Sequence, residues 1–118
     1  MTCGIDIVQI SRIEDMARRH ERSLLRFFTE QELAYCQGRQ KAQHASLAGI
    51  FAAKEAFVKA LGTGFRQGKW TDIEVTHTPL GAPVLQLRGY YAQTVAAGQT
   101  PSLSISHDGD YAIAQVIL

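Results

Sequence analysis

The chain has 118 residues, of which 46% are hydrophobic, and its twelve lysines and arginines against eleven acidic residues leave a formal charge of +1. A chain of this length is typical of one compact domain, so residues 1–118 are predicted to form a single unit. The small net charge excludes a global field directed at nucleic acid or an anionic membrane, and any recognition of charged partners must be local.

The sequence shows no signal for export or for membrane insertion. Cys3 and Cys36 lie far apart and form neither a C-x-x-C pair nor half of a zinc cluster, which fits a reducing compartment. The N-terminal residues lack a basic segment followed by an apolar core, and no apolar run reaches the length of about 18 residues that spans a bilayer. We therefore expect a cytoplasmic protein without a membrane partner.

The first part of the chain predicts a strand and then an amphipathic helix. The run CGIDIVQI indicates a buried strand, in which the carboxylate of Asp6 is unexpected. Ser11 and Glu14 have the spacing of a capping box, so a helix is predicted to begin there and to extend towards Phe28. At about 100° per residue, one face of this helix carries four arginines and no carboxylate, with Met16 beside them. The arginines are Arg12, Arg19, Arg22 and Arg26.

The middle of the chain predicts two further helices. TEQE at residues 29–32 is a second capping box and begins a short helix that ends near Cys36. After the polar connection QGRQKAQH, the longest helical pattern extends from about Ala45 to Leu61, and Gly62 is placed to end it in the αL conformation. Its apolar side carries Leu47, Phe51, Val58 and Leu61.

The remaining sequence predicts mainly strands. DIEVTH and PVLQLRG flank the turn TPLGA, and YYAQTVAAG predicts a short helix that Gly98 ends. SLSISH and YAIAQVIL flank DGD and indicate a final hairpin. This order of elements is typical of an α+β domain.

Several common catalytic motifs are excluded. The glycines of GTGFRQG follow a helix with G-x-G-x-x-x-G spacing, whereas the dinucleotide fingerprint is G-x-G-x-x-G after a strand. The chain contains no G-x-x-x-x-G-K, H-E-x-x-H or G-x-S-x-G, and its four histidines have no metal-ligand spacing. A zinc enzyme and a serine hydrolase are therefore not predicted.

Two carboxylates in apolar surroundings are the candidates for chemistry. Asp6 is either a strand residue that accepts backbone hydrogen bonds or a ligand, and Glu55 is either an exposed i, i+4 ion pair with Lys59 or a ligand. Magnesium prefers one or two carboxylates and completes its shell with water and substrate phosphate oxygens. If the fold brings Asp6 and Glu55 together, they could hold magnesium, and Lys59 could then reach a phosphate on that metal.

Six segments in order, over nearly the whole chain, resemble the holo-acyl-carrier-protein synthases, the small single-unit 4′-phosphopantetheinyl transferases of bacterial fatty-acid synthesis. They are GIDIVQISRIE, RFFTEQE, SLAGIFAAKEAFVKALGTGF, WTDIEV, GAPVLQLRG and SLSISHDGDYAIAQVIL. The specific features are the strand aspartate, the F-x-x-K-E-x-x-x-K helix with its G-T-G end, and the S-x-S-H strand.

The resemblance implies a reaction and its catalytic groups. The 4′-phosphopantetheine of coenzyme A would move to a serine of apo acyl carrier protein, which releases adenosine 3′,5′-bisphosphate. Magnesium would be required, with Asp6 and Glu55 matching its acidic ligands and Lys59 matching a lysine near the pyrophosphate. Lys59, Asp6 and a water on the metal all stay open as acceptors of the serine proton.

The resemblance also implies a fold and an assembly. The expected fold is a small mixed sheet packed on a long central helix. Single-unit members of the family form homotrimers, with three sites at the subunit interfaces.

Further residues match coenzyme and carrier contacts of the family. His107 and the turn Gly62, Thr63 and Gly64 match positions around one coenzyme pocket, although a hydrogen-bonded strand end and a simple helix cap are the alternatives. Acidic carrier proteins dock on the first helix in family members of this type. The matched contacts are Arg12, Met16, Arg19 and Arg22, for which a solvated face is the alternative.

One position departs from the family. An arginine commonly precedes the F-x-x-K-E motif, and this chain has Ile50 there. If that arginine contacts the coenzyme or a neighbouring subunit, this chain lacks the contact. The carrier protein that it modifies could then belong to fatty-acid synthesis or to a polyketide or other secondary pathway.

Lys54 is either an outer phosphate contact or a solvated side chain. A non-catalytic carrier-binding module and a trimeric nucleotide-binding protein are the rival functions, and intact Asp6, Glu55 and Lys59 favour the enzyme.

Overall fold

The fold is built around one long helix, α4, in a computed structural model that describes residues 1–118. The elements in chain order are β1 (Cys3–Gln9), α1 (Ile10–Arg19), α2 (Glu21–Phe27), α3 (Glu30–Gly38), α4 (Gln43–Leu61), β2 (Ile73–His77), β3 (Pro83–Leu87), α5 (Gly89–Ala92), β4 (Ser102–Asp108) and β5 (Tyr111–Ile117). The predicted α+β class is confirmed. No helix combines the length and the apolar content needed to cross a bilayer.

The strands form two antiparallel sheets, one with the order β1-β5-β4 and one that pairs β2 with β3. The expectation of one mixed sheet was wrong. The hairpins β2–β3 and β4–β5 have short connections, which force antiparallel pairing, and the first strand joins the last strand in the antiparallel sense as well. The three-stranded sheet packs one face on α4, as expected for a central helix.

Gly4 lets β1 lie directly on the backbone of α4. A Cβ atom at this glycine would lie 1.9 Å from the Ala56 carbonyl oxygen and 2.7 Å from the Ala60 nitrogen, so no other residue fits here. Because side chains alternate along a strand, Asp6 and Val8 face the same helix as Gly4. This close crossing therefore fixes Asp6 against α4.

The helix boundaries correct two predictions about the N-terminal region. Ser11 does not cap α1, because β1 continues directly into a helix that begins at Ile10 and has no side-chain cap. The continuous helix towards Phe28 is interrupted at His20, whose backbone (φ −135°, ψ 58°) separates α1 from α2. The four arginines are thus divided between two helices and do not share one arc.

Other local predictions are confirmed, with one exception. Thr29 and Glu32 form both hydrogen bonds of the predicted capping box, and Gly62 ends α4 in the αL conformation with φ of 80°. The helix predicted to end at Gly98 is shorter, since α5 stops at Ala92 and Gly98 lies in the following turn.

Candidate active site

Asp6 and Lys59 form an ion pair where β1 crosses α4. Lys59 Nζ donates to Asp6 Oδ1 and to the carbonyl oxygen of Ile5, both at 3.0 Å. The Asp6 side chain is only 15% exposed, whereas that of Lys59 is 53% exposed. The interpretation of Lys59 as the exposed helical partner of Glu55 was therefore wrong, because this ammonium pairs across to the strand.

Glu55 is half-buried beside this pair. Burial raises the pKa of the Glu55 carboxyl, and the negative charge of Asp6 raises it further, while the cations Lys59 and Arg12 oppose the rise. The two carboxylates are thus close enough to repel each other, and a divalent cation would relieve this repulsion. No group of three or more His, Cys, Asp or Glu side chains forms a metal cluster. A pair of carboxylates without nitrogen or sulfur donors fits magnesium better than zinc.

The glycine turn follows one helical turn after Lys59. Gly62 and Gly64 have φ of 80° and 71°, values that favour glycine, and Thr63 between them is exposed. Arg66 Nε donates to the Thr63 carbonyl oxygen at 2.8 Å. The turn thus places backbone groups and one hydroxyl near the Lys59 end of α4.

His107 lies near the opposite end of α4. Its Nε2 is 2.8 Å from the carbonyl oxygen of Ala45. At 1.5 Å per residue, Ala45 and Gly62 are separated by about 25 Å along the helix axis. One chain therefore does not bring His107 and the glycine turn together, and their common coenzyme pocket at a subunit interface stays a prediction.

Ile50 is buried and lines a cavity of about 160 Å³ together with His107. Arg39, which the sequence analysis did not single out, brings a guanidinium to the same cavity and lies 5.8 Å from the centre of the Tyr35 ring. That ring stacks on His77 at 3.8 Å, and burial together with the Arg39 charge lowers the pKa of His77. No carboxylate lines the cavity to pair with Arg39. Arg39 therefore supplies a positive charge to the cavity, although position 50 has no arginine.

The predicted docking residues occupy different environments. Arg12 lies 5.9 Å from the centre of the Phe51 ring on α4, and Met16 packs against the core. Arg19 pairs with Asp15 at 3.1 Å, so the arginine surface is not free of carboxylates as the sequence suggested. Arg22 is exposed on α2, beyond the break at His20. Arg12 is thus the docking candidate nearest to Glu55.

Lys54 is neither a phosphate contact nor a solvated side chain, and both alternatives were wrong. It is 1% exposed and pairs with Glu32 at 2.7 Å inside the protein. The sequence spacing could have predicted this burial. Lys54 lies seven residues after Leu47 and seven before Leu61, which places it on the apolar side of α4.

Comparison with known proteins places this α+β fold in a known class, the phosphopantetheinyl transferases. The 4′-phosphopantetheinyl transferase superfamily model matches residues 2–116. The chain belongs to this superfamily.

The individual relatives agree with this membership. The chain is 45% identical over 117 residues to a holo-[acyl-carrier-protein] synthase of Clostridium tetani, covering 98% of this chain and 92% of that protein. It is 49% identical over 119 residues to the synthase of Trichlorobacter lovleyi, covering 98% and 94%. The crystal structure of the Helicobacter pylori synthase in complex with coenzyme A superposes with a TM-score of 0.84 at 38% identity, covering 98% and 97%.

Proposed function

We propose that the chain transfers the 4′-phosphopantetheine group of coenzyme A to a serine of an apo acyl carrier protein. The serine oxygen forms a bond to the phosphorus next to pantetheine, and the bond from that phosphorus to the bridging oxygen breaks. Adenosine 3′,5′-bisphosphate leaves with the electron pair, while the serine proton passes to a base at the site and then to water. The observation that carries the proposal is the meeting of Asp6, Glu55 and Lys59 at the β1–α4 crossing. Superfamily membership and the names of the relatives support it.

The three side chains divide the chemistry between them. Asp6 and Glu55 would hold magnesium, which neutralises charge on the coenzyme pyrophosphate when bound. Lys59 forms an ion pair with the Asp6 carboxylate and also donates to the carbonyl oxygen of Ile5. A paired ammonium suits the stabilisation of departing phosphate charge better than the acceptance of the serine proton. Most of the catalysis then comes from positioning and charge neutralisation.

Acidic carrier protein is proposed to bind the surface of α1 and α2. Arg12, Arg19 and Arg22 are exposed there, and the partly buried Met16 provides an apolar contact between them. Arg12 also lies close enough to Glu55 to influence its pKa. The same arginine therefore joins the proposed docking surface to the proposed metal site, which would place an acceptor serine beside it.

A homotrimer is proposed from two features of the single chain. The outer face of the three-stranded sheet carries an exposed apolar patch on β1 and β5, with Ile5 53%, Ile7 60% and Ile117 38% exposed, and such a patch is typical of a protein interface. The separation of His107 from the glycine turn would also be resolved if a second copy supplied one of them to each coenzyme. Light scattering should give the mass of a trimer, and Ile7→Glu should shift it towards monomer.

The test of function is transfer observed by intact mass. The protein is incubated with coenzyme A, magnesium and several apo carrier proteins, including carriers of fatty-acid and polyketide synthesis, and each carrier is weighed. We expect a phosphopantetheine mass gain on at least one carrier, and none on its serine-to-alanine variant. Absence of a gain on every carrier would favour the non-catalytic binding module. The carrier that reacts fastest would indicate the pathway. We propose that this pathway is fatty-acid synthesis and that the protein acts in the cytoplasm.

A further inference from the structure

The ammonium of Lys54 joins three separate segments in the interior. Its Nζ donates to the Phe27 carbonyl oxygen at 2.5 Å, to Glu32 Oε1 at 2.7 Å and to the Trp70 carbonyl oxygen at 3.2 Å. All three ammonium protons therefore have acceptors, and these lie on α2, on α3 and on the turn before β2. Burial lowers the pKa of Lys54, and the negative charge of Glu32 opposes this shift.

Both carboxylate oxygens of Glu32 also have hydrogen-bond partners. Its Oε1 also accepts from the Thr29 backbone nitrogen at 2.9 Å, and its Oε2 accepts from the Val75 backbone nitrogen at 2.7 Å. No buried side-chain polar atom in the chain lacks a partner. The pair is thus part of a complete polar network that connects α4 to β2 and to the start of α3.

Helix α2 lies at the surface, and the network reaches its C-terminal end. None of its residues is buried. Its attachments to the rest of the protein include the Phe27 ring, which lies 5.4 Å from that of Phe51 and 5.7 Å from that of Trp70, and the bond from Lys54 to the Phe27 carbonyl. A cation at the C-terminal end of a helix is favourable, because the last carbonyl groups carry partial negative charge.

We propose that Lys54 is a positioning residue that holds α2 at a fixed place relative to Glu55, the neighbour of Lys54 on α4. Because α2 carries part of the carrier-docking surface, Lys54 would also position that surface. A buried ion pair can often be replaced by apolar residues without loss of stability. Stability alone therefore does not explain this pair. An ammonium with three acceptors fixes position in three directions, whereas a flexible apolar chain would only fill the space. This inference rests on the proposed function for its catalytic consequence only.

The experiment uses a double variant, Lys54→Met with Glu32→Gln, which removes both charges and leaves no unpaired ion in the interior. The matched control is the double variant Arg88→Met with Glu74→Gln, which removes the ion pair of Arg88 with the buried Glu74 at 2.8 Å, leaves no unpaired ion, and replaces no residue of α2 or α4. Hydrogen exchange is measured on each free protein. Amides of residues 21–27 should exchange at least about tenfold faster in the double variant, while those of α4 change by less than about twofold. The control should match the wild type in both helices.

The catalytic readout is a difference between two Michaelis constants. In the double variant, KM for apo carrier should rise at least about fivefold, and KM for coenzyme A should change by less than about twofold. Unchanged exchange in α2, an unchanged carrier KM, or an equal rise in both constants would overturn the proposal. If the wild type transfers nothing, the proposed function fails, and carrier affinity measured by calorimetry then replaces KM with the same criteria.

Discussion

Helix α4 carries two lysines, Lys54 and Lys59, in opposite environments. Each pairs with a carboxylate from another element, at 2.7 Å for Lys54 and 3.0 Å for Lys59. Lys54 is 1% exposed with three protein acceptors, whereas the Lys59 side chain is 53% exposed beside a strand carboxylate and a glycine turn. From this comparison we infer that the ion pair without solvent access positions segments of the fold, whereas the pair at the surface is the one that could exchange its partner for a substrate.

The largest effect on stability is expected at Lys54. Lys54→Met leaves Glu32 buried without its counter-ion, which should lower the free energy of unfolding by about 3–5 kcal/mol. Lys59→Met should change it by only about 0–1 kcal/mol, since this pair is partly solvated. Urea unfolding of both variants measures the contrast, and equal losses would remove the distinction between the two lysines.

The reverse order is expected for catalysis. Lys59→Met should reduce kcat by about 10²–10³, because a cation that stabilises transition-state charge is removed. Lys59→Arg, which keeps the charge, is the matched variant and should retain more of the activity. Steady-state kinetics at saturating coenzyme A and carrier provides the measurement. Wild-type turnover in Lys59→Met would mean that the ammonium serves only to pair with Asp6.

A smaller effect is expected on the docking surface. Arg12→Glu should raise KM for carrier protein by about tenfold, since a negative charge is brought towards an acidic partner. Arg19→Glu should act in the same direction but less strongly, because Arg19 already pairs with Asp15. KM for coenzyme A measured in parallel is the control. Equal changes in both constants would contradict a docking role for this surface.

The smallest effect is a pH dependence at Glu55. Its pKa is raised in the folded protein, so the folded state holds this proton more tightly than the unfolded chain does. Without metal, stability should therefore fall as pH rises from the ordinary carboxyl range through the raised pKa. Glu55→Gln lacks this fall and should exceed the wild type in stability at pH 7 but not at pH 4. Denaturation at several pH values tests this, and parallel profiles would be inconsistent with it.

The sequence predicted the groups that act locally. The Thr29–Glu32 capping box and the Gly62 cap depend on neighbours within a few residues, and both are confirmed. Asp6 and Glu55 could be selected because carboxylates are unusual in apolar segments. Their meeting required tertiary information, since it depends on the close approach that Gly4 permits.

Three features of the structure could not be predicted from the sequence: the surroundings of Lys54, the break at His20 and the distance of His107 from the glycine turn. The surroundings of Lys54 include Phe27, Glu32 and Trp70, and no sequence spacing connects them. The break at His20 has no glycine or proline to mark it. His107 was matched correctly to its strand, but its distance from the glycine turn follows only from the length of α4.

The most direct test of the proposed metal site is phosphopantetheine transfer by the wild type and by Glu55→Gln over a range of magnesium concentrations. Chelation should abolish wild-type transfer, and added magnesium should restore it. Glu55→Gln should remain folded by circular dichroism, lose most of its transfer activity, and recover only part of it at high magnesium. Wild-type turnover in Glu55→Gln, or transfer by the wild type in excess chelator, would contradict the assignment of Asp6 and Glu55 as the metal site.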